Sequence, residues 1–343
     1  MARFDGVAAG TVPASVSSLI AVTLPKLQKT VVDQFFDSTP FFKYLRTKGR
    51  ARSWDGGDTM EIPLLFNQNP MAKAYQSYEP LSAKPPEGIT TSVWALTKYR
   101  VPLLYSRSMM AANAGESAIV DLISALRDQA SKSLVRKINA DLWSEDTQNP
   151  IEVTSMYGML EESTAASQTA APGGISKSTY TWWRHNYDTC SSASAGSALG
   201  VLPKFRRLHM ACSDNGETPD LAICDDFTYT NTEDILQTAV RYTNQDSPNW
   251  GFDSIGYKGV TIMHDPTLNA DGANGDGDGS LFLLNTDFIS LYIGSNANFK
   301  MIPPEYDKKQ DCYLGVTLVD LQLVCNQMRR QGVLVGGAFK TAC

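Results

Sequence analysis

Apolar and polar positions alternate in two blocks separated by a stretch with almost no apolar periodicity. The first block is Thr59-Met-Glu-Ile-Pro-Leu-Leu-Phe66; the second runs from Thr90 through Val93-Trp-Ala-Leu-Thr-Lys-Tyr-Arg-Val101 toward Tyr105. Runs of period two predict strands. Between them, Asn67 to Gly88 carries Pro70, Pro80, Pro85 and Pro86 and the exposed-type aromatics Tyr75 and Tyr78. The pattern predicts a two-stranded ribbon of roughly 50 residues with a long tip, and an isolated hairpin is marginal in water. Such a ribbon needs a surface supplied from elsewhere, which points to a chain built to be held by copies of itself. Pro63 and Pro102 fall inside the strand patterns. Proline cannot donate to a ladder, so the strands are edges or are interrupted there.

Helical periods surround the ribbon. Residues 1–22, rich in Ala, Gly, Ser and Val, read as an extended arm. Leu24, Leu27, Val31 and Phe35 then share one face of a helix over 24–36. A short second helix is capped by Ser38 or Thr39, with Pro40 in its first turn, Phe41, Phe42 and Leu45 as apolar residues and Gly49 as its stop. After the ribbon comes the longest helix, residues 116–143. Ile119, Leu122, Ile123, Leu126, Ala130, Leu134, Ile138 and Leu142 step by three and four along it. Acids early (Glu116, Asp121) and bases late (Arg136, Lys137) suit the helix dipole. Residues 145–174 read as loop, Tyr180 to Tyr187 as a helical or packed segment, and 188–200 as a low-complexity surface loop.

From Pro219 the pattern is mixed. Strands are predicted at Leu221–Cys224, Val260–Met263, Leu281–Leu284, Phe288–Ile293, Tyr313–Cys325 and Val333–Val335. A capping box, Thr230-x-x-Glu233, is predicted to open a helix.

Composition narrows the class. With 343 residues, 43% apolar and 19% charged, the chain is globular, with one large domain or two ordinary ones. A net charge of -6 argues against a dedicated nucleic-acid binder, though not against a protein that encloses nucleic acid without gripping it. No apolar run approaches the roughly 18 residues of a membrane span. The short run Ser18–Leu24 flows into a helical pattern, so no signal peptide is expected. The six cysteines (190, 212, 224, 312, 325 and 343) include no C-x-x-C. This pattern favours free thiols in a reducing compartment over a disulfide framework or a zinc site.

Candidate chemistry is sparse. Lys43, Arg46, Lys48, Arg50 and Arg52 crowd one junction, either as a solvated face or as a contact with a neighbouring subunit's acids or enclosed nucleic acid. Asn274-Gly-Asp276-Gly-Asp278-Gly279 resembles the start of a calcium loop, but the twelfth position is Asn285 and the flanks read as strand, so a turn-rich loop is the default. His185, His209 and His264 share no ligand spacing, and no phosphate-loop, dinucleotide or nucleophile-elbow motif is present. Trp182-Trp183 can stack a ligand or anchor a core or interface. No cofactor and no metal are expected.

The order arm, extended loop, long helix, αβ segment and closing β segment resembles that of the tailed-bacteriophage major capsid protein (major head protein) family, with its HK-ninety-seven-like fold. The resemblance is carried by Val31-Val-Asp-Gln-Phe-Phe-Asp-Ser-Thr-Pro40, Leu45-Arg-Thr-Lys-Gly-Arg50, Asp55-Gly-Gly57, Gly173-Gly-Ile175 with Trp182-Trp-Arg184, Pro219-Asp-Leu221 and Leu284-Asn-Thr286. It implies an α+β phage major capsid fold. Residues 1–50 would be the N-terminal arm and 51–107 the extension loop. Residues 108–199 and 301–343 would form the peripheral domain, with the spine helix at 116–143, and 200–300 the axial domain.

The implied function is a non-enzymatic, self-assembling icosahedral shell around a double-stranded DNA genome. Copies of the chain would meet as pentamers and hexamers. A separate scaffolding protein and a portal would be partners, with a decoration protein left open. The packaged DNA would be held without sequence-specific binding, no membrane is involved, and the virion would be assembled in the host cytoplasm. Lys43, Arg46, Arg50, Arg52, Trp54, Lys73, Tyr75, Tyr78, Lys84 and Trp94 are the candidates for contacts between subunits. One branch of the family crosslinks a loop lysine to a neighbour's asparagine. Lys73 or Lys84 would be the lysine, but no matching asparagine and acid can be placed. Two other readings stand beside this one. The first is a soluble α+β enzyme with a hairpin lid over its substrate site. The second is a calcium-dependent binding module using residues 274–285.

Overall fold

The computed structural model describes residues 40–67, 72, 74, 76–77, 88–112, 122–144, 151–190, 201–214, 216–239, 254–268, 279–307, 309 and 311–336. The arm, the helix expected over 24–36, most of the ribbon tip and the Asn274–Asp278 loop lie outside them. The chain divides into two compact units. One contains Tyr99–Arg136 and Phe299–Val319; the other contains Ser38–Lys98, Lys137–Asn298 and Asp320–Cys343.

In chain order the helices are α1 (Pro40–Thr47), α2 (Arg107–Ala112), α3 (Leu122–Leu142), α4 (Met156–Met159), α5 (Val201–Cys212) and α6 (Asp226–Ala239). The first strands are β1 (Ala51–Trp54), β2 (Thr59–Leu65), β3 (Ile89–Ala95), β4 (Thr97–Ser106) and β5 (Asn186–Thr189). The remainder are β6 (Leu221–Cys224), β7 (Ser254–Tyr257), β8 (Val260–His264), β9 (Ser280–Leu284), β10 (Ile289–Gly294), β11 (Lys300–Asp307), β12 (Cys312–Cys325) and β13 (Gly332–Val335).

The larger unit is built on a six-stranded mixed sheet in the order β5-β13-β9-β6-β8-β7. Its central strands β6 and β9 are buried at every position. A strand covered on both faces reads as an unbroken apolar run, which is why both are legible as Leu-Ala-Ile-Cys and Ser-Leu-Phe-Leu-Leu. Phe205, Leu208 and Cys212 of α5 and Leu236 of α6 join Ile262, Leu283 and Leu334 in one apolar cluster. β13 pairs with β9 and β5. The last described strand and residues 186–189 therefore share a sheet with segments of 200–300. In the same unit, β1 lies parallel to β10, which pairs with the C-terminal half of β12.

The smaller unit holds most of α3, most of β4, β11 and the N-terminal half of β12. β11 and β4 both pair with β12. Strand β11 was missed in the sequence because Pro303 and Pro304 interrupt it. The register shifts there, between Ile302 and Glu305, since neither proline can donate to the ladder.

Several local readings hold and some move. α1 ends as expected at Gly49, whose φ of 68° is the left-handed conformation of a helix stop. The amide of Arg50 then donates to the carbonyl of Leu45 at 2.8 Å. Along α3, Ala130, Leu134, Ile138 and Leu142 are buried as their spacing requires. The helix at Thr230 starts earlier. Asp225 takes the amides of Phe227 and Thr228 at 3.1 and 3.3 Å, so the cap is one turn upstream and Thr230 lies inside the helix. The second ribbon strand breaks at Leu96; β3 pairs with β2, whereas β4 pairs with β12.

Near the C-terminus of α3, Trp143 packs on Phe41 and Phe282 with centroids 5.7 and 5.4 Å away. Its indole N–H donates to buried Asp265 at 3.2 Å, and the amide of Asn139 donates to the same carboxylate at 3.4 Å. Replacing Asp265 by alanine strands the Trp143 indole and the backbone amide of Thr267, which donates to the same carboxylate at 2.9 Å, while Asn139 keeps its bond to the Thr267 hydroxyl at 2.6 Å; an unmet buried group costs on the order of 1–3 kcal/mol. Asp265→Ala is therefore expected to lower the stability of the folded chain by about 2–4 kcal/mol, read as a shift in denaturant midpoint at unchanged slope.

Candidate assembly surface at the ribbon

β2 and β3 pair in strict antiparallel register, Thr59 opposite Ala95 through Leu65 opposite Ile89. Alternation gives the ribbon two unlike faces. Met60, Leu64, Ser92 and Trp94 are buried on one. Leu65, Ile89 and Val93 lie on the other, 80, 75 and 45% exposed.

The buried face sits on a loop of its own chain. Gly173, at φ 64°, lies beneath Trp94; a Cβ placed there would come within 2.9 Å of Cε2 of Trp94 and 3.0 Å of Cβ of Ser92. The loop is fixed from behind by Trp183, whose indole N–H donates to the carbonyl of Pro172 at 3.0 Å. The Trp94 indole N–H donates to the Ser92 hydroxyl at 3.1 Å, so its polar edge is satisfied. Burying a tryptophan removes about 200 Å² from water, on the order of 5 kcal/mol before chain entropy, which is enough to seat a short ribbon. Sequence reasoning named Trp94 as a contact between subunits; at 2% exposure it is instead taken up inside its own chain. Pairing a tryptophan with a Gly-Gly turn about 80 residues away leaves no local signal.

A second layer holds the loop. Lys177, fully buried, donates through Nζ to the carbonyl of Met159 and lies 3.1 Å from Nδ1 of His185. Nε2 of His185 is 2.8 Å from the carbonyl of Glu161, so Nε2 carries the proton and Nδ1 accepts. The Gln168 side chain clamps the His185 backbone, accepting its N–H at 3.2 Å and donating to its carbonyl at 3.1 Å. The Glu161 carboxylate takes the amides of Thr169 and Ala170, at 3.0 Å each. Burial lowers the Lys177 ammonium to about 8, with Glu161 opposing the shift. Burial and then the Lys177 charge lower His185 to about 3. His185 is thus neutral in the folded state while an unfolded imidazole titrates near its ordinary 6.5.

The remaining candidates are dispersed. Lys43 and Arg46 are exposed on α1, and Arg52 is exposed on β1. Arg50 pairs with Asp287. Lys48 reaches Asp220 at 3.9 Å, and the Tyr44 hydroxyl donates to Asp220 at 3.1 Å. Trp54 is half-buried, edge-on to Tyr292 at 6.1 Å. It lines a cleft of about 320 Å³ with Asp58, Lys98 and Asp320. Lys73, Tyr75, Tyr78 and Lys84 lie outside the described residues. Among the described residues, no three His, Cys, Asp or Glu converge as a metal site, and no helix is long and apolar enough to cross a membrane. The described cysteines are buried, and burial pushes the thiols of Cys212 and Cys325 up to about 12.

At the outer end of the seat, Phe66 stacks on Trp182 with centroids 5.0 Å apart, and Tyr180 leans on Trp182 at 6.1 Å. With Ile89, Thr90 and Ile175 they line an apolar cleft of about 420 Å³.

Two tests follow from this geometry. Gly173→Ala is expected to cost about 2–4 kcal/mol, because it adds a left-handed non-glycine residue and a clash with Trp94. Gly174→Ala, also at positive φ but with no heavy atom within 4 Å of the added Cβ, carries only the conformational cost of about 1–2 kcal/mol. Comparing their denaturant midpoints separates contact from strain. For His185, the unfolded chain binds a proton below pH 6.5 that the folded chain refuses until about 3, so stability falls as pH drops through that window. Between pH 7 and 4.5 the wild type is expected to lose on the order of 2 kcal/mol more than His185→Gln, measured by urea denaturation.

Neither a family model nor a curated protein matches the sequence. Solved structures do match in fold. The capsid asymmetric unit of cyanophage A-1(L) superposes with a TM-score of 0.66 at 15% identity, over 91% of this chain and 96% of that one. The capsid of a native GTA particle, computed with C5 symmetry, gives 0.60 at 10% identity, over 94 and 99%. The holo-SrpI encapsulin complex of Synechococcus elongatus PCC 7942 gives 0.61 at 9% identity, over 97 and 99%. The chain therefore has, over nearly its whole length, the fold shared by phage capsid proteins and an encapsulin.

Proposed function

We propose that this chain is a structural major capsid protein. Many copies assemble into the icosahedral head that encloses the double-stranded DNA of a tailed phage. The observation that carries the reading is the two-faced ribbon. One face is spent on the chain's own loop, while Leu65, Ile89 and Val93 present apolar side chains that a solitary protein gains nothing by exposing. Copies related by rotation cover such a face and close into rings of five and six. The shared fold of phage capsids and an encapsulin supports the same reading.

The parts follow from that assignment. Residues 51–107 act as the extension loop over a neighbour, α3 as the spine of the peripheral domain, and the six-stranded sheet with α5 and α6 as the core of the axial domain. A separate scaffolding protein, a portal and packaged DNA are the partners, and assembly takes place in the host cytoplasm. The exposed Lys43, Arg46 and Arg52 face either a neighbour's acids or the DNA. The hairpin-lid enzyme is disfavoured at the Trp94 end of the ribbon, where Gly173 lies directly against Trp94 and Ser92.

The double variant Leu65→Asp, Ile89→Asp tests the reading. Both positions are exposed, so folding is expected to change by no more than about 0.5 kcal/mol at each. Negative-stain microscopy, with and without a co-expressed scaffolding protein, should show shells or rings from the wild type and none from the variant. Shells from the variant at wild-type yield would contradict the role of this face, and a wild type that stays monomeric under both conditions would contradict the capsid reading.

A further inference from the structure

The chain is acidic overall, with a net charge of -6, yet one surface of the larger unit runs the other way. α5 presents Arg206 and Arg207 to solvent. Lys204, earlier on the helix, is matched by Asp188 of β5 at 2.8 Å. Arg207 reaches the same carboxylate only at 4.0 Å, and its side chain stays 79% exposed. Arg206 leans the opposite way, onto the hairpin of β7 and β8. Its Nε donates to the Tyr257 phenol and its guanidinium lies 5.7 Å from the centre of that ring, so its partner is neutral. Lys258 follows, exposed and in no ion pair among the described residues. Its ammonium is close enough to His209 on α5 to add to the burial that lowers that imidazole. Helix and turn thus bring three cations without a matching acid onto one surface.

The backbone at Lys258 is the second observation. Tyr257 pairs with Val260, so Lys258 and Gly259 form a two-residue turn, with φ of 54° and 82°. Positive φ at both positions is the type I′ geometry, which Asn-Gly fits and a lysine strains. Strain held at one position is a pointer to function. The exposed side chain adds no packing to the hairpin; it adds a positive charge beside Arg206. Unmatched cations in series on a helix and its adjoining turn suit a partner that carries negative charges in series. We infer that Arg206, Arg207 and Lys258 form a sequence-independent contact for the phosphate backbone of nucleic acid. An acidic protein segment is the competing occupant. Protein contacts centre on buried apolar anchors, and the one large apolar side chain that α5 exposes is Met210, which favours the polyphosphate. The inference rests on the capsid reading above for the source of the polymer, the enclosed DNA, and names where that DNA meets the chain.

The test uses the full chain, unassembled, and a fluorescently labelled DNA duplex, with binding read by anisotropy from about 50 to about 200 mM salt. Three phosphate contacts predict an affinity that falls about 40-fold over that range, since each contributes about 0.9 to the log–log slope. Lys258→Asn removes one contact, so its affinity should start lower and fall only about 12-fold. Its denaturant midpoint should stay at or above that of the wild type, because asparagine accepts the turn, so the loss cannot be misfolding. Arg206→Gln should show the same shallower salt dependence. A duplex of unrelated sequence should bind equally well, as backbone contacts carry no sequence information. Three results would overturn the inference. One is a folded Lys258→Asn chain with the wild-type salt dependence. Another is no duplex binding by the wild type at the low-salt end. The third is binding of polyglutamate but not of DNA at the same salt, the signature of an acidic protein partner. Shell formation by the wild type, followed in parallel, keeps the two readings apart. Shells from a chain without this DNA contact would remove only the contact, and DNA binding with the predicted salt dependence by a chain that never assembles would remove only the capsid assignment.

Discussion

A two-stranded ribbon has two faces and no third layer, so something outside it must cover each. Here the contact of Trp94 with Gly173 covers one. The glycine is required twice over, by its positive φ and by a ring that leaves no room for a Cβ. Around it, Trp183 secures the turn at Pro172, and the Lys177–His185–Glu161–Gln168 network secures the loop that makes the turn. Without that seat the ribbon would be a loose hairpin, and its outer face would have no fixed direction.

The same economy runs through the rest of the larger unit. The central strands β6 and β9 are buried on both faces, so this sheet is complete within one chain. On the proposed reading, what one chain leaves uncovered is the ribbon's outer face, where Leu65, Ile89 and Val93 stand exposed. Inner-face contacts would fold the monomer, and outer-face contacts would gain only when a second copy arrives. The buried Lys177 and His185 belong to the first task. Their shifted titration couples pH to the monomer's fold rather than to the surface a neighbour would meet.

Much of this was legible from residues alone, and the exceptions have physical causes. Leu221–Cys224 and Ser280–Leu284 declare themselves as apolar runs because burial on both faces removes any need for alternation, whereas β12 shows itself by alternating buried and half-buried positions before a buried end. The stripe Ala130, Leu134, Ile138 and Leu142 gives α3, since one face of a helix repeats every three or four residues. β11 was hidden by its prolines. α5 carries the stripe Leu202, Phe205, Leu208 and Cys212, but it directly follows a low-complexity stretch that supplies no helix-start signal. The helix at Asp226 was placed a turn late because Thr230 and Glu233 mimic a capping box, while Asp225 caps from outside that pattern. The ribbon itself was visible from its alternation. Its seat was not, because Trp94 and Gly173 meet only in the fold, and so Trp94 was assigned to a neighbour when it serves its own chain.

Hydrogen exchange along the ribbon, in the dilute monomer and again in assembled particles, tests the central claim most directly. A ribbon seated by Trp94 on Gly173 predicts that amides in Thr59–Leu65 and Ile89–Ala95 are already protected in the monomer and slow further on assembly. Exchange at unstructured rates in the monomer would mean that the seat does not hold. Protection that is identical in monomer and particle would mean that no neighbour covers the outer face.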